Sequence, residues 1–215
     1  MVKLLELYKG TGSFGKAAKR KGWKVVSLDN EAKYNPDILV DILKWNYKEL
    51  DFIPDVITAS PPCATFTNMA TTKRKTFDPS KPARVRNIDT MKPLNDYGKL
   101  GDDLLRRTIK IINYFREKNP RMKFIMENPR GTMHKSPLMA ALRPYETAIT
   151  YYCLYQDKRQ KRTQFFNNFD LKLREGSCRA QVNMLTLPLC ERYKIPQALI
   201  NSIFKQVEEN KIISK

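Results

Sequence analysis

Hydrophobic and polar positions follow one another in blocks that are typical of strands alternating with helices. Short apolar runs that end in polar or glycine residues predict strands in KLLELYKG, WKVVSLDN, PDILVDI, FIPDVITAS and MKFIMENP. Helical patterns follow in GSFGKAAKRKG, GDDLLRRTIKIINYFREK and IPQALINSIFKQVEEN, and two further strands are predicted in ETAITYYCLY and TQFFNNF. This alternation predicts an α/β fold with a mainly parallel sheet and helices on both faces.

Length and charge narrow the class of protein. The 215 residues are enough for one domain, predicted over 1–215. The 40 Lys and Arg against 22 Asp and Glu give a net charge of +18, which favours a polyanionic partner, above all nucleic acid. No apolar segment approaches the roughly 20 residues of a membrane span, and the amino terminus lacks a signal-peptide pattern. We therefore expect a soluble, intracellular protein without a membrane partner.

The four cysteines are widely spaced. Cys63, Cys153, Cys178 and Cys190 include no CxxC pair, so the sequence predicts neither a metal site nor a disulfide framework. In a reducing compartment each thiol must then be explained by burial or by chemistry.

A glycine turn and two acids point to a nucleotide-like cofactor. Gly10 and Gly12 lie in KGTGSFG, between a predicted strand and helix, where a backbone can approach a ligand closely. Asp29 ends the second strand, where it can accept hydrogen bonds from ribose hydroxyls, and Asp41 with Ile42 ends the third. Packing of the glycines and capping or solvation of the acids are the ordinary alternatives. Together these residues favour an adenosine cofactor at the carboxyl edge of the sheet.

A thiol and a carboxyl group follow two further strands. Cys63 lies in ASPPCATFT, on a backbone stiffened by prolines, and Glu127 ends the strand in IMENPRG. A thiolate beside a carboxylic acid suits nucleophilic attack on an electron-poor ring, and a nearby cation would increase the thiolate fraction. Arg162 is predicted to be that cation, with a phosphate contact as its alternative. A buried thiol for Cys63 and a solvated carboxylate for Glu127 are the ordinary alternatives.

Residues 64–97 are predicted to form a basic loop that directly follows Cys63. Between Lys73 and Lys92 there are seven basic residues against two acids, a local charge of +5. A long loop inside a compact domain is commonly either a functional lid or disordered, and a solvated charge run is the ordinary alternative. The basic residues expected to contact the substrate are Lys73, Arg74, Lys75, Arg84 and Arg86.

The ordered motifs LYKGTGSFG, SLDNE, VDI, DVITASPPCATFT, IMENPRG and RQKRTQFF resemble those of the cytosine-5 DNA methyltransferases, enzymes of the class I, Rossmann-like methyltransferase fold. This resemblance implies S-adenosylmethionine as the methyl donor and DNA as the substrate. It also implies that Cys63 adds to carbon 6 of the cytosine while Glu127 contacts ring nitrogen 3 and the exocyclic amine. Substrate contacts are implied for Pro61, Asn128 and Gln164, and the basic loop 64–97 corresponds to the family's catalytic loop. The residues implied to hold the cofactor are Tyr8, Gly10, Gly12, Phe14, Asp29, Asn30, Asp41, Ile42 and Pro62.

Two features depart from the family pattern. Gln164 stands where the family commonly has a second arginine. Only residues 168–188 occupy the interval that normally holds a target-recognition domain, as in compact forms carried by viruses and phages. We therefore expect a monomeric, minimal enzyme with a short or relaxed sequence preference, or one that takes its specificity from a protein partner. Methylation of transfer RNA and a nucleic-acid-binding protein with a lapsed active site are the alternative functions.

Overall fold

The computed structural model describes residues 1–71 and 84–212 and contains one seven-stranded sheet. The strand order is β3-β2-β1-β4-β5-β7-β6, and every pairing from β3 to β5 is parallel. Strand β7 runs antiparallel to both of its neighbours. The strands are β1 (Lys3–Leu7), β2 (Lys24–Asp29), β3 (Ile38–Leu39), β4 (Val56–Ala59), β5 (Lys123–Pro129), β6 (Glu146–Tyr151) and β7 (Arg162–Asn167). The helices are α1 (Ser13–Arg20), α2 (Asp96–Lys118), α3 (Leu189–Tyr193) and α4 (Gln197–Glu209).

The prediction of a mainly parallel sheet with helices on both faces is confirmed. Successive strand residues enter different cores, because side chains alternate across a sheet. Leu5, Ile57 and Phe124 pack with α2 on one face. Leu4 and Val56 pack with α1 and α4 on the other. Both faces are therefore covered, as parallel sheets require.

Several predicted elements differ in extent from those in the structure. The strand predicted in ETAITYYCLY ends at Tyr151, and a 3-10 turn follows over Tyr152–Tyr155. The run PDILVDI forms only the two-residue strand Ile38–Leu39, at the edge of the sheet. Helix α2 starts five residues before the predicted pattern, because the Asn95 side chain accepts a 2.9 Å hydrogen bond from the Gly98 N–H and so caps the helix.

The predicted basic loop 64–97 is partly regular. Short 3-10 turns occupy Ala64–Phe66 and Asn68–Thr71, and α2 has begun by Asp96. Lys73, Arg74 and Lys75 lie outside the described residues. Arg86, in contrast, is completely buried.

Two cysteines form a disulfide, so the prediction that none is present was wrong. Cys153 and Cys178 are joined with their Cα atoms 6.0 Å apart, whereas Cys63 and Cys190 are free. The 25-residue separation carries no sequence signal, because the contact depends on how the chain folds back after β7. No helix in the described ranges is long and apolar enough to cross a membrane.

Candidate active site

The predicted reacting residues lie at the carboxyl edge of the parallel strands. Strands β4 and β5 pair in parallel, with Ala59 opposite Met126, so the residues that follow both strands emerge at the same edge. Cys63 comes four residues after the end of β4, and Glu127 lies near the end of β5. The Asn128 side-chain amide donates a 3.1 Å hydrogen bond to the carbonyl of Pro61, which ties the two strand ends together. The exposed Pro62 follows Pro61 at this edge.

The backbone around Cys63 is held by the turn that follows β5. Cys63 is half-buried, and its carbonyl accepts a 2.8 Å hydrogen bond from the Phe66 N–H. The Phe66 carbonyl in turn accepts bonds from the Thr132 N–H at 2.7 Å and from its hydroxyl at 3.0 Å. Gly131 packs so closely here that a Cβ atom would lie 2.2 Å from the Phe66 carbonyl oxygen. The thiol-bearing segment is therefore fixed against the end of β5.

Glu127 is a buried carboxylate with three partners. Only 5% of the residue is exposed. Its Oε1 accepts hydrogen bonds from the Thr163 hydroxyl at 2.6 Å and from the Tyr152 hydroxyl at 3.3 Å. The Lys161 ammonium lies 3.6 Å from the same oxygen and so compensates the buried charge.

Lys161, and not Arg162, is the cation of this group, so the prediction for Arg162 is corrected. Thr163 of β7 and Lys161, the residue before this strand, lie on the same face as Glu127, since Glu127 pairs with Phe165 and side chains alternate along an extended chain. Arg162 is exposed, and its guanidinium lies 5.7 Å from the ring centre of Tyr151. Burial alone would lower the pKa of Lys161, but the charge of Glu127 and the Tyr152 hydroxyl raise it above its usual value.

Cys63, Glu127 and Lys161 interact electrostatically. Burial raises the pKa of the Cys63 thiol, the negative charge of Glu127 raises it further, and the positive charge of Lys161 opposes both effects. The resting side chain is therefore a protonated thiol at neutral pH. Lys161 is the nearby charge that favours its ionisation.

The glycine turn lies above β1 and is supported by two acids. Gly10 and Gly12 have φ angles of +48° and +68°, a left-handed conformation that glycine adopts readily. The Asp29 carboxylate accepts backbone hydrogen bonds from Gly10 at 2.8 Å and from Glu31 at 2.9 Å. Two bonds leave acceptor capacity on this carboxylate for the hydroxyls of a ribose, so the residue fits an adenosine cofactor.

Glu6 lies beneath this turn and was missed by the sequence analysis. It is 3% exposed and accepts a 3.0 Å hydrogen bond from the Gly15 N–H through Oε1, while Oε2 is buried without a partner among the described residues. Burial raises the pKa of Glu6 to about 7, and the Gly15 bond only partly offsets this effect. The only sequence feature that could have singled out Glu6 is its place as an acid among the apolar residues of β1.

The other predicted cofactor residues fall into two groups. The Asp41 carboxylate accepts a 2.9 Å bond from the Leu43 N–H, next to the buried Ile42. Tyr8 has a φ of 58°, and its hydroxyl lies 2.8 Å from the Thr108 hydroxyl of α2. Asp41 and Tyr8 therefore lie at the carboxyl edge of the sheet, where a ligand could bind. Asn30, next to Asp29, is exposed. The prediction for the Phe14 side chain is corrected, because it is 3% exposed and packs on Phe204 in the core beneath α1.

The predicted substrate residues are also divided. Gln164 is buried, on the face of β7 opposite Glu127, with its Oε1 3.4 Å from the Arg130 guanidinium. Arg84 is half-buried and its Nε has no partner among the described residues. Arg86 is corrected from a substrate residue to a structural one. Its guanidinium pairs with Asp102 at 2.6 Å and lies 4.0 Å from the ring centre of Phe66.

Only the comparison with solved structures finds proteins similar to this chain. No protein-family model and no curated protein matches this sequence. Among solved structures, the chain is similar to methyltransferases and has the class I methyltransferase fold.

Three of these structures have TM-scores above one half. A protein assigned as a DNA modification methyltransferase encoded within an E. coli prophage has a TM-score of 0.53 and 13% identity, covering 78% of this chain and 46% of that chain. The S. pombe Dnmt2 methyltransferase has a TM-score of 0.51 and 18% identity, covering 81% and 53%. The Entamoeba histolytica methyltransferase EhMeth has a TM-score of 0.51 and 11% identity, covering 84% and 57%. The chain thus spans about half the length of the structures it matches, and the likeness is one of fold.

Proposed function

We propose that this chain transfers a methyl group from S-adenosylmethionine to carbon 5 of cytosine in DNA, with Cys63 as the nucleophile. The observation that carries the proposal is the group formed by Cys63, Glu127 and Lys161 at the edge that also bears the glycine turn. The class I methyltransferase fold supports methyl transfer, and the prophage protein's assignment supports DNA. The positive net charge supports a nucleic-acid substrate.

Each protein residue has a defined task in this reaction. The Cys63 thiol passes its proton to the Glu127 carboxylate and its sulfur adds to carbon 6 of the ring, which makes carbon 5 nucleophilic. Glu127, now protonated, donates a hydrogen bond to ring nitrogen 3 and accepts one from the exocyclic amine. Lys161 stabilises the thiolate and balances the charge of Glu127. When the carbon 5 proton is later lost to a base, the bond between sulfur and carbon 6 breaks and the thiolate is regenerated.

The residues at the glycine turn would hold the methyl donor. Asp29 and Asp41 would bind its ribose and adenine, and Gly10 and Gly12 would let the backbone approach it. When bound, S-adenosylmethionine supplies the methyl group that carbon 5 takes. Attack perpendicular to the ring requires the cytosine to leave the stacked duplex or to come from a single strand, at a cost of a few kcal/mol.

Covalent trapping tests this proposal. The protein is mixed with S-adenosylmethionine and DNA that contains 5-fluorocytosine, whose fluorine cannot be eliminated. We expect an adduct that survives denaturation in the wild type and is absent in Cys63→Ala. Cys190→Ala is the matched control and should form the adduct, since Cys190 is a free, exposed thiol. An adduct on fluorinated RNA alone would assign the reaction to RNA, and binding without any adduct on either substrate would contradict the proposal.

A further inference from the structure

Arg130 and Arg162 form a pair of like charges next to the candidate active site. The antiparallel register places Asn128 opposite Gln164, and the Arg130 N–H continues this ladder with a 3.0 Å bond to the Arg162 carbonyl. The two side chains therefore leave the same face of the sheet, opposite the face of Glu127. Like charges directly opposite one another on paired strands are destabilising. Burial and the charge of Arg162 both lower the pKa of Arg130.

Nothing among residues 1–71 and 84–212 neutralises this pair. Neither guanidinium has a carboxylate within 4.0 Å there. Arg162 makes no side-chain hydrogen bond in these ranges, and only the Nη1 atom of Arg130 does so, with the Gly131 carbonyl, His134 and Gln164. Arg130 thus keeps Nε and Nη2 free to donate. A free guanidinium edge matches an oxygen anion bidentately.

The pair is held at a fixed place relative to Cys63. Arg130 precedes Gly131 and Thr132, which pack on the Phe66 carbonyl of the thiol-bearing segment. Gln164, which contacts Arg130, is two residues from Arg162 on the same face of β7. An anion bound here would therefore lie at a fixed position relative to the Cys63 thiol.

We propose that Arg130 and Arg162 together bind one backbone phosphate of the nucleic-acid strand, next to the target nucleotide. This inference rests on the proposed function. A phosphodiester carries the negative charge and the two free oxygens that two guanidiniums can share, whereas a neutral base edge would leave the repulsion uncompensated. The contact positions the strand and carries no sequence information.

Neutral phosphate substitution tests the pair. The probes are labelled single-stranded DNA oligonucleotides with one cytosine, either with all phosphates intact or with one methylphosphonate at each flanking position in turn. We expect the wild type to bind one methylphosphonate probe about tenfold more weakly than the intact probe, as for the loss of a charged hydrogen bond. Arg130→Gln/Arg162→Gln should bind both probes equally. In a plot of log Kd against log salt concentration, the slope for this variant should be about 0.7 smaller than that for the wild type, which is the value for one phosphate of a single strand.

Three controls make the test decisive. Arg121→Gln removes an exposed arginine that precedes the amino-terminal end of β5, whereas Arg130 follows its carboxyl end. This variant should still bind the methylphosphonate probe about tenfold more weakly than the intact probe. Arg130→Lys/Arg162→Lys keeps both charges and should retain most of the salt dependence of the Kd. The thermal stability of every variant is measured in parallel and should equal that of the wild type. The inference would be overturned if the double Gln variant still bound the methylphosphonate probe more weakly than the intact probe, or if the wild type bound the two probes equally. It would also be overturned if the wild type bound neither these probes nor matched RNA. Because the readout is binding, a wild type that discriminates but forms no 5-fluorocytosine adduct would contradict the proposed function alone.

Discussion

The Cys63 thiol lies between opposing electrostatic influences, and its ionisation depends on Lys161. Burial and Glu127 raise the thiol pKa, whereas Lys161 lowers it. Replacing Lys161 with Met removes the opposing charge, so the pKa should rise further. We expect Cys63 in Lys161→Met to react with iodoacetamide about tenfold more slowly at pH about 8, because a smaller fraction of the thiol is ionised. The rates are measured in a Cys190→Ser background, so that Cys63 is the only free thiol.

The variant Lys161→Arg keeps the positive charge and should react at nearly the wild-type rate. Arg162→Gln changes the neighbouring residue on the other face of β7 and should leave the rate unchanged. A slower reaction in Arg162→Gln, together with a normal rate in Lys161→Met, would contradict the assignment of the cation.

Glu6 should make the stability of the protein depend on pH. Its folded pKa of about 7 is raised above the unfolded value near 4.5, so the folded state binds more protons between these values. Stability should therefore fall as the pH rises through this window and be lowest above pH about 7, by an amount on the order of 3 kcal/mol. Glu6→Gln should remove this dependence and be more stable than the wild type at pH about 8, as measured by denaturant unfolding.

The exposed Glu175 provides the matched control for this change. Glu175→Gln should retain the full pH dependence of the wild type. Equal stability of Glu6→Gln and the wild type across the whole range would show that Glu6 ionises freely in the folded protein.

At the scale of the elements, Arg86 joins the segment before α2 to the rest of the chain. Its Nε donates to the Thr65 carbonyl at 2.6 Å, and its guanidinium pairs with Asp102 of α2. Arg86→Leu should lower the free energy of unfolding by about 3 to 5 kcal/mol, because it leaves the partly buried Asp102 unpaired. Arg86→Leu/Asp102→Leu should recover part of this loss. A cost below about 1 kcal/mol, the usual value for an exposed ion pair, would contradict the structural role.

Gly131 keeps the end of β5 in contact with the thiol-bearing segment. A Cβ atom at this position would lie 2.2 Å from the Phe66 carbonyl oxygen, so the backbone must shift in Gly131→Ala. We expect a loss of about 1 to 3 kcal/mol in stability and a fall in the yield of the 5-fluorocytosine adduct. In Gly176→Ala the φ of +114° gives backbone strain, but apart from the adjoining residues no atom of 1–71 or 84–212 lies within 4 Å of the added Cβ. An equal effect on adduct yield in both variants would exclude the contact as the cause.

The sequence predicts the elements well where one pattern dominates. The apolar runs of β1, β2, β4 and β5 and the helical period of α4 locate these elements and the edge where Cys63 and Glu127 emerge. The face of β7 could not be predicted, because Phe165 and Phe166 are both buried and alternation carries no signal there. For the same reason the sequence did not distinguish Lys161 from Arg162.

Arg86 shows a second limit of sequence analysis. In a run rich in basic residues, nothing local separates the buried Arg86 from the half-buried Arg84. The partner of Arg86, Asp102, is sixteen positions away, so only the packing of α2 on the turn at Thr65 reveals the pair.

At the scale of the whole molecule, the surplus of basic residues predicts binding that depends strongly on salt. If about six phosphates are contacted, the Kd for DNA should weaken about a thousandfold between about 50 and about 200 mM salt. The measurement is a salt titration of an oligonucleotide by fluorescence anisotropy. A Kd that hardly changes over this range would show that the charge is not directed at phosphates.

The short segment 168–188 leaves little surface for reading bases. Its first part is tied to α4, where Gln206 bonds the backbone of Lys172 in both directions at 2.8 Å. Much of the remainder is exposed and contains only the 3-10 turn Met184–Thr186. Base discrimination normally needs a set of positioned side chains in a groove. The relaxed sequence preference and the separate specificity partner stay predictions.

Lys161 and Arg162 are consecutive residues that emerge on opposite sides of one strand. Their roles are therefore set by the phase of β7 as much as by their chemistry. A slip of one residue in the pairing of β7 with β5 would exchange the two sides, turning the guanidinium toward Glu127 and the ammonium toward Arg130. The pairing of β7 with its two neighbours thus decides which of these cations the buried carboxyl group meets, whatever the length of the turn before it.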